Sequence, residues 1–174
     1  MATIAASQYE QAGATARNAF ERYVVALLGA IAMIWIVFQV VEIRAPFPPI
    51  GILYAVGSIA VAGLVVRGGK TWAPAVAAGW AVLMIIPESI PAIGHLRDWS
   101  ELYTHFGHYL VIVTFFPLAA LLAAVGIAAT AQNRAITDAG EVAPAWLRVA
   151  RIGVLSFIVV ANLITIMLYV LEIP

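Results

Sequence analysis

Residues 23–43 read YVVALLGAIAMIWIVFQVVEI, twenty-one residues whose only charge is Glu42, next to the end. At 1.5 Å per residue this run is about 30 Å long as a helix, the thickness of a bilayer's hydrocarbon core. The chain around it has the same character. Of 174 residues 64% are hydrophobic and only 10% charged, and mean hydropathy is +1.00. A soluble domain carries roughly 25% charged residues, and a chain this short cannot hide so much apolar surface without lipid. The expected fold is therefore all-α, a polytopic transmembrane helix bundle forming one membrane domain over residues 1–174.

Working outward, four further apolar runs are separated by breakers and charges. The first run ends at Arg44-Ala45-Pro46-Phe47-Pro48-Pro49, and the second ends at Arg67-Gly68-Gly69-Lys70. Expected spans are about 23–43, 49–66, 72–94, 107–130 and 148–171, each near the 17–25 residues a crossing needs. The polar, Ala-rich residues 1–22 are expected to form a short helix on the cytoplasmic face. Span three carries Pro87-Glu88-Ser89-Ile90-Pro91, where a disturbed outer end is expected.

Orientation follows from the basic residues. Arg17, Arg22, Arg67, Lys70, Arg134, Arg148 and Arg151 fall on one side under five spans, and only Arg44 and Arg97 on the other. The positive-inside rule then places the N-terminus in the cytoplasm and the C-terminus outside, in a multi-pass protein of the inner (plasma) membrane. Four spans is the alternative, and it spoils this division.

Several function classes are excluded. With no cysteine there is no disulfide, thiolate metal site, Cys-ligated iron–sulfur cluster or Cys nucleophile. Zero net charge gives no reason to expect nucleic acid. No phosphate-binding loop, dinucleotide fingerprint, nucleophile elbow or HExxH pattern occurs.

Polar groups converge on the outer half. All three histidines, His95, His105 and His108, lie on that side. Trp35, Gln39 and Glu42 share a face of span one, as Tyr54 and Ser58 do in span two. In span five Asn162, Thr165, Tyr169 and Glu172 form a stripe about 80° wide. Glu88 lies well inside the apolar part of span three, where an ionisable group is by default a candidate acid or base. Lipid cannot satisfy such groups, so the stripes are expected to face a common outward cavity. Small residues of span four, Ala119, Ala120, Ala123, Ala124 and Gly126, suit close packing in the inner half.

The segment 97–110 is amphipathic. Asp98 and Glu101 have capping-box spacing, predicting a helix from Asp98 with Arg97, Asp98, Glu101, His105 and His108 on one face. Two outcomes fit that pattern: an interfacial helix with a solvated polar face, and a lid that aims Glu101, His105 and His108 at the cavity. The spacing of those three residues also suits a metal, but no second cluster supports one, so neither a metal nor any other cofactor is expected.

The expected function is acid–base catalysis on a lipophilic small-molecule substrate by an isomerase, cyclase or epoxide-opening hydrolase. Glu88, Glu42, Glu101, His105 and His108 are the catalytic candidates, and Trp35, Gln39, Tyr54, Asn162 and Tyr169 the substrate-binding ones. The alternative is a non-catalytic subunit or assembly partner of a larger membrane complex, whose polar stripes would meet partner helices; a homo-oligomer belongs to the same range. A transporter comes third, because the inner half offers few polar groups and no internal repeat is evident.

Overall fold

The computed structural model describes residues 2–41, 50–67, 71–98, 100, 102, 104–135 and 145–171, with side chains placed from Phe20 onward except near some helix ends. It is all-α. Five helices occur among the described residues: α1 (Ala2–Val41), α2 (Ile50–Val66), α3 (Ala73–Arg97), α4 (Phe106–Ala135) and α5 (Ala145–Val170). Four of them are long and apolar enough to cross a membrane, and α2 is a shorter apolar helix of 17 residues.

The amino-terminal residues do not form a separate short helix. They continue into the first apolar segment as one helix of 40 residues, because no proline interrupts an Ala-rich run of good helix formers. Helix α3 likewise runs unbroken through Pro87 and Pro91 to Arg97. The Ser89 hydroxyl donates to the Ile86 carbonyl at 2.7 Å within this stretch. Pro74 sits in the first turn of α3, where its missing N–H costs nothing.

Core stripes follow a three-four spacing. In α1 the buried residues include Val24, Leu28, Ile31, Trp35 and Phe38, and in α4 Phe115, Leu118, Leu122, Val125 and Ala129. This spacing keeps one seam of each helix against its neighbours. Helix α1 packs along α2 and α4, and α3 along α4 and α2, while α5 lies mainly against α4.

Close approaches tie the bundle together. An added β-carbon at Gly126 of α4 would sit 2.7 Å from the Pro74 carbonyl oxygen and 2.9 Å from Ala78 Cβ. Ala73, Ala77 and Ala81 face the same interface, so α3 and α4 approach closely in this half. Between α2 and α3, the Trp80 Nε1 donates to Ser58 Oγ at 3.0 Å. That bond satisfies a hydroxyl that is fully buried.

In the connection from α3 to α4 the expected helix beginning at Asp98 is met in part: the described residues Ser100 and Leu102 are 3₁₀-helical, and regular α-helix begins at Phe106. The Asp98 carboxylate accepts from the Ser100 N–H at 3.0 Å and from the Ser100 hydroxyl, as a capping residue does. The Tyr109 hydroxyl, fully buried on α4, lies 2.6 Å from both the His95 and the Asp98 carbonyl oxygens. One phenol thus anchors the turn onto the helix that follows it.

Candidate functional site

The buried stripe of α3 runs Ala77, Ala81 and Met84. Continued by the same spacing, it reaches Glu88, Ala92 and His95, so the two ionisable side chains occupy the inward face that alanines occupy one turn after another below. Glu88, Ala92 and His95 line a cavity of about 290 Å³ between α1, α3 and α4, with Ile50 at the start of α2 also on its wall. Helix α1 contributes Trp35 and Phe38, and α4 contributes His108 and Phe115. The close α3–α4 packing around Gly126 and the opening around His108 are two ends of one helix pair.

Glu88 is half-buried. The Tyr54 hydroxyl of α2 lies close enough to its carboxyl group to interact with it. Tyr54 is itself buried against Trp35, with ring centroids 4.9 Å apart. Trp35 also meets Phe38 and Phe115 edge-on, at 5.7 and 5.2 Å. These aromatic contacts fix the indole, a large rigid wall for the cavity. Its Nε1 carries no hydrogen-bond partner, although the residue is only 2% exposed.

The three imidazoles cluster. Ring centroids lie 5.3 Å apart for His95 and His105, and 5.2 Å apart both for His95 and His108 and for His105 and His108. His95 and His108 line the cavity, while His105 packs behind them in the α3–α4 turn. Phe38 meets the His108 ring edge-on at 4.9 Å. Among the described residues, no group of three His, Asp or Glu side chains is arranged to hold a metal ion.

The other candidates are placed differently. Gln39 lies against Gly51 at the α1–α2 contact and does not line the cavity; its Oε1 is buried without a hydrogen-bond partner. The α5 residues turn to α4. Asn162 Nδ2 donates to Thr114 Oγ1 at 2.9 Å and to the Ile158 carbonyl at 2.8 Å. Thr165 is buried and donates to the Ala161 carbonyl at 2.9 Å. Tyr169 stacks on Phe106 with centroids 4.4 Å apart. Asn162 and Tyr169 are thus absorbed by helix packing and do not line the cavity. Glu42 and Glu101 lie outside the described residues.

His95 was not among the catalytic candidates drawn from sequence. Its signal is the seven-residue interval from Glu88, two helical turns, which a span ending at Gly94 discards. The described fold and site define an all-α protein with four helices long and apolar enough to cross a membrane, and a largely apolar cavity into which Glu88, His95 and His108 are set. No protein family, curated protein or solved structure matches the chain.

Proposed function

We propose that this protein is a membrane-embedded acid–base enzyme acting on a lipophilic small molecule, as an isomerase, cyclase or epoxide-opening hydrolase. One observation carries the proposal: a carboxyl group and two imidazoles, from Glu88, His95 and His108, line a single cavity among apolar helices. Such chemistry needs one group to give a proton and another to take it, in a site that excludes bulk water. Glu88, beside Tyr54, acts as the general acid or base. His108 and His95 exchange protons with the reacting molecule, and His105 connects them to the water side. Glu42 and Glu101 are retained from the sequence as candidate second carboxylates.

The proposed topology has all five helices crossing an inner (plasma) membrane, with α2 as the shortest span. The N-terminus is cytoplasmic, and the cavity opens toward the opposite face. Seven of the nine lysines and arginines support this orientation.

Expression of the wild type and of Glu88→Gln at equal membrane levels tests the chemistry, with extractable lipids compared by mass spectrometry. An isomerised, cyclised or hydrated lipid that appears only with the wild type is expected. Identical lipid profiles from two equally stable proteins would sink the enzyme.

A subunit role in a larger membrane complex is the second proposal, and α5 favours it. Only 6% of its apolar segment is buried within the chain, leaving most of the helix open to lipid or to a partner helix. Purification in mild detergent separates the two: a stable isolated protein supports the enzyme, and a defined co-purifying partner supports the subunit.

A further inference from the structure

At the end of the α1–α2 pair farthest from the Glu88 cavity lies a second pocket, which shares no lining residue with it. The pocket holds about 400 Å³ and is lined by Glu21, Arg22, Val25 and Ala26 of α1 and by Val65 and Val66 of α2. The α1 residues form two rows at four-residue spacing, Glu21 with Val25 and Arg22 with Ala26, so all four share one face of the helix. A carboxylate and a guanidinium thus stand side by side over a floor of alanine and valines.

Depth decides what could fill it. The apolar segment of α1 begins at Phe20, and that of α2 ends at Val66. Arg67 follows, exposed, with its N–H still bonded to the Gly63 carbonyl at 3.1 Å. The charges of the pocket therefore stand where the apolar runs stop, which in a bilayer is the plane of the lipid head groups, and the valines lie where acyl chains begin. Arg151 of α5 is engaged elsewhere, donating to the Tyr23 hydroxyl.

The pair of opposite charges decides the head group. A phosphate suits Arg22, but a lipid bearing that charge alone would also meet the Glu21 carboxylate. A choline group brings a positive charge and no N–H donor, whereas a primary ammonium brings three. Glu21 already has an interaction within the chain, and an ionised carboxylate offers about four acceptor positions, so capacity for an ammonium remains. Phosphoethanolamine, of about eight non-hydrogen atoms, fits a space of roughly thirteen water volumes with room for the glycerol.

We infer that this pocket binds a phospholipid with a primary ammonium head group, a phosphatidylethanolamine, with its phosphate on Arg22, its ammonium on Glu21 and the start of its acyl chains against Ala26, Val65 and Val66. The inference rests on α1 and α2 crossing the bilayer, as in the proposed topology, and not on any reaction at Glu88.

The test is native mass spectrometry of the delipidated full chain in detergent, offered equal amounts of phosphatidylethanolamine, phosphatidylcholine and phosphatidylglycerol with the same acyl chains. Retention of phosphatidylethanolamine is expected to exceed that of either other lipid by roughly two- to fivefold, the worth of one exposed charged pair. Glu21→Gln should abolish this preference, and Arg22→Gln should weaken all three lipids. Ala26→Trp, which fills the floor of the pocket, should weaken all three and keep their order. Stepwise N-methylation of the lipid removes donors without touching the protein, and retention should fall with each methyl group.

Equal retention of the three lipids, or a preference for phosphatidylglycerol, would overturn the inference. So would a Glu21→Gln protein that keeps the preference, or methylated lipids that bind as well as their parent. Phosphoethanolamine without acyl chains should fail to displace the lipid at equal concentration, and effective displacement would remove a lipid as the occupant. Glu88→Gln should retain phosphatidylethanolamine like the wild type. The enzyme therefore stands or falls on lipid conversion, and this pocket on lipid retention.

Discussion

Gly57 of α2 faces the Trp80 indole of α3 so closely that no β-carbon fits between them. The Trp80 ring also meets Tyr54 at 6.4 Å, and its Nε1 is bonded to Ser58. One tryptophan thus sets the α2–α3 distance and thereby where Tyr54 stands relative to Glu88. Gly57→Ala is expected to destabilise the protein by about 1–3 kcal/mol, the usual cost of overpacking. Combining it with Trp80→Leu should recover part of that loss, and thermal unfolding in detergent would read both. A Gly57→Ala protein as stable as the wild type would show that the contact yields freely.

Tyr54→Phe keeps the ring packing on Trp35 and removes the hydroxyl nearest Glu88. The expected loss of stability is about 0.5–1.5 kcal/mol, the net worth of one polar interaction. In Glu88→Gln the same tyrosine substitution should cost less, because the pair is already altered. Equal costs in both backgrounds would mean that the two residues are not coupled.

Tyr109→Phe removes the hydroxyl shared by two carbonyl groups at the α3–α4 turn. A loss of about 0.5–1.5 kcal/mol is expected for removing a hydroxyl bonded to two part-buried carbonyl groups, of which that of His95 keeps the Asp98 N–H. Faster amide hydrogen exchange should be confined to the turn and the first turn of α4, near the imidazole cluster. Uniformly faster exchange along α3 would point instead to a general loss of packing.

The Asn162–Thr114 bond links α5 to α4 within the apolar zone. A double-mutant cycle with Asn162→Leu and Thr114→Val should give a coupling of about 0.6 kcal/mol, the average for polar pairs between membrane helices. Zero coupling would assign Asn162 to its own helix carbonyl alone.

The absence of native cysteine gives a clean background for topology. Single cysteines placed at Thr104 and Gln132, near opposite ends of α4, should differ in their labelling by an impermeant thiol reagent applied to intact cells. Thr104→Cys is expected to react and Gln132→Cys to react only after permeabilisation. The opposite result would invert the proposed orientation.

How much of this was legible in the sequence varies by residue. Glu88 stands out because a lone acid in an apolar run has few reasons to be there. The prolines predict a disturbed outer end in a span that stops at Gly94, whereas α3 carries on through both prolines to Arg97 and keeps His95 in register with Glu88. Asp98 offers a capping pattern and its carboxylate does accept the Ser100 N–H, but the described residues that follow, Ser100 and Leu102, are 3₁₀-helical and α4 starts at Phe106, a distinction that spacing alone does not make. The α5 stripe illustrates a different gap. Periodicity says that Asn162, Thr165 and Tyr169 share a face, and says nothing of which neighbour that face meets. In the folded chain the neighbour is α4, outside the cavity.

The peripheral seat of α5 also bears on the order in which the molecule is made. It is held by α4 and, at its other end, by Arg151 donating to the Tyr23 hydroxyl at 2.6 Å. Every residue lining the cavity lies before it in the chain. The cavity walls have therefore all been synthesised, and are able to assemble, while the last helix is still emerging from the ribosome. In biogenesis, α5 would dock onto cavity walls that the earlier helices have already supplied.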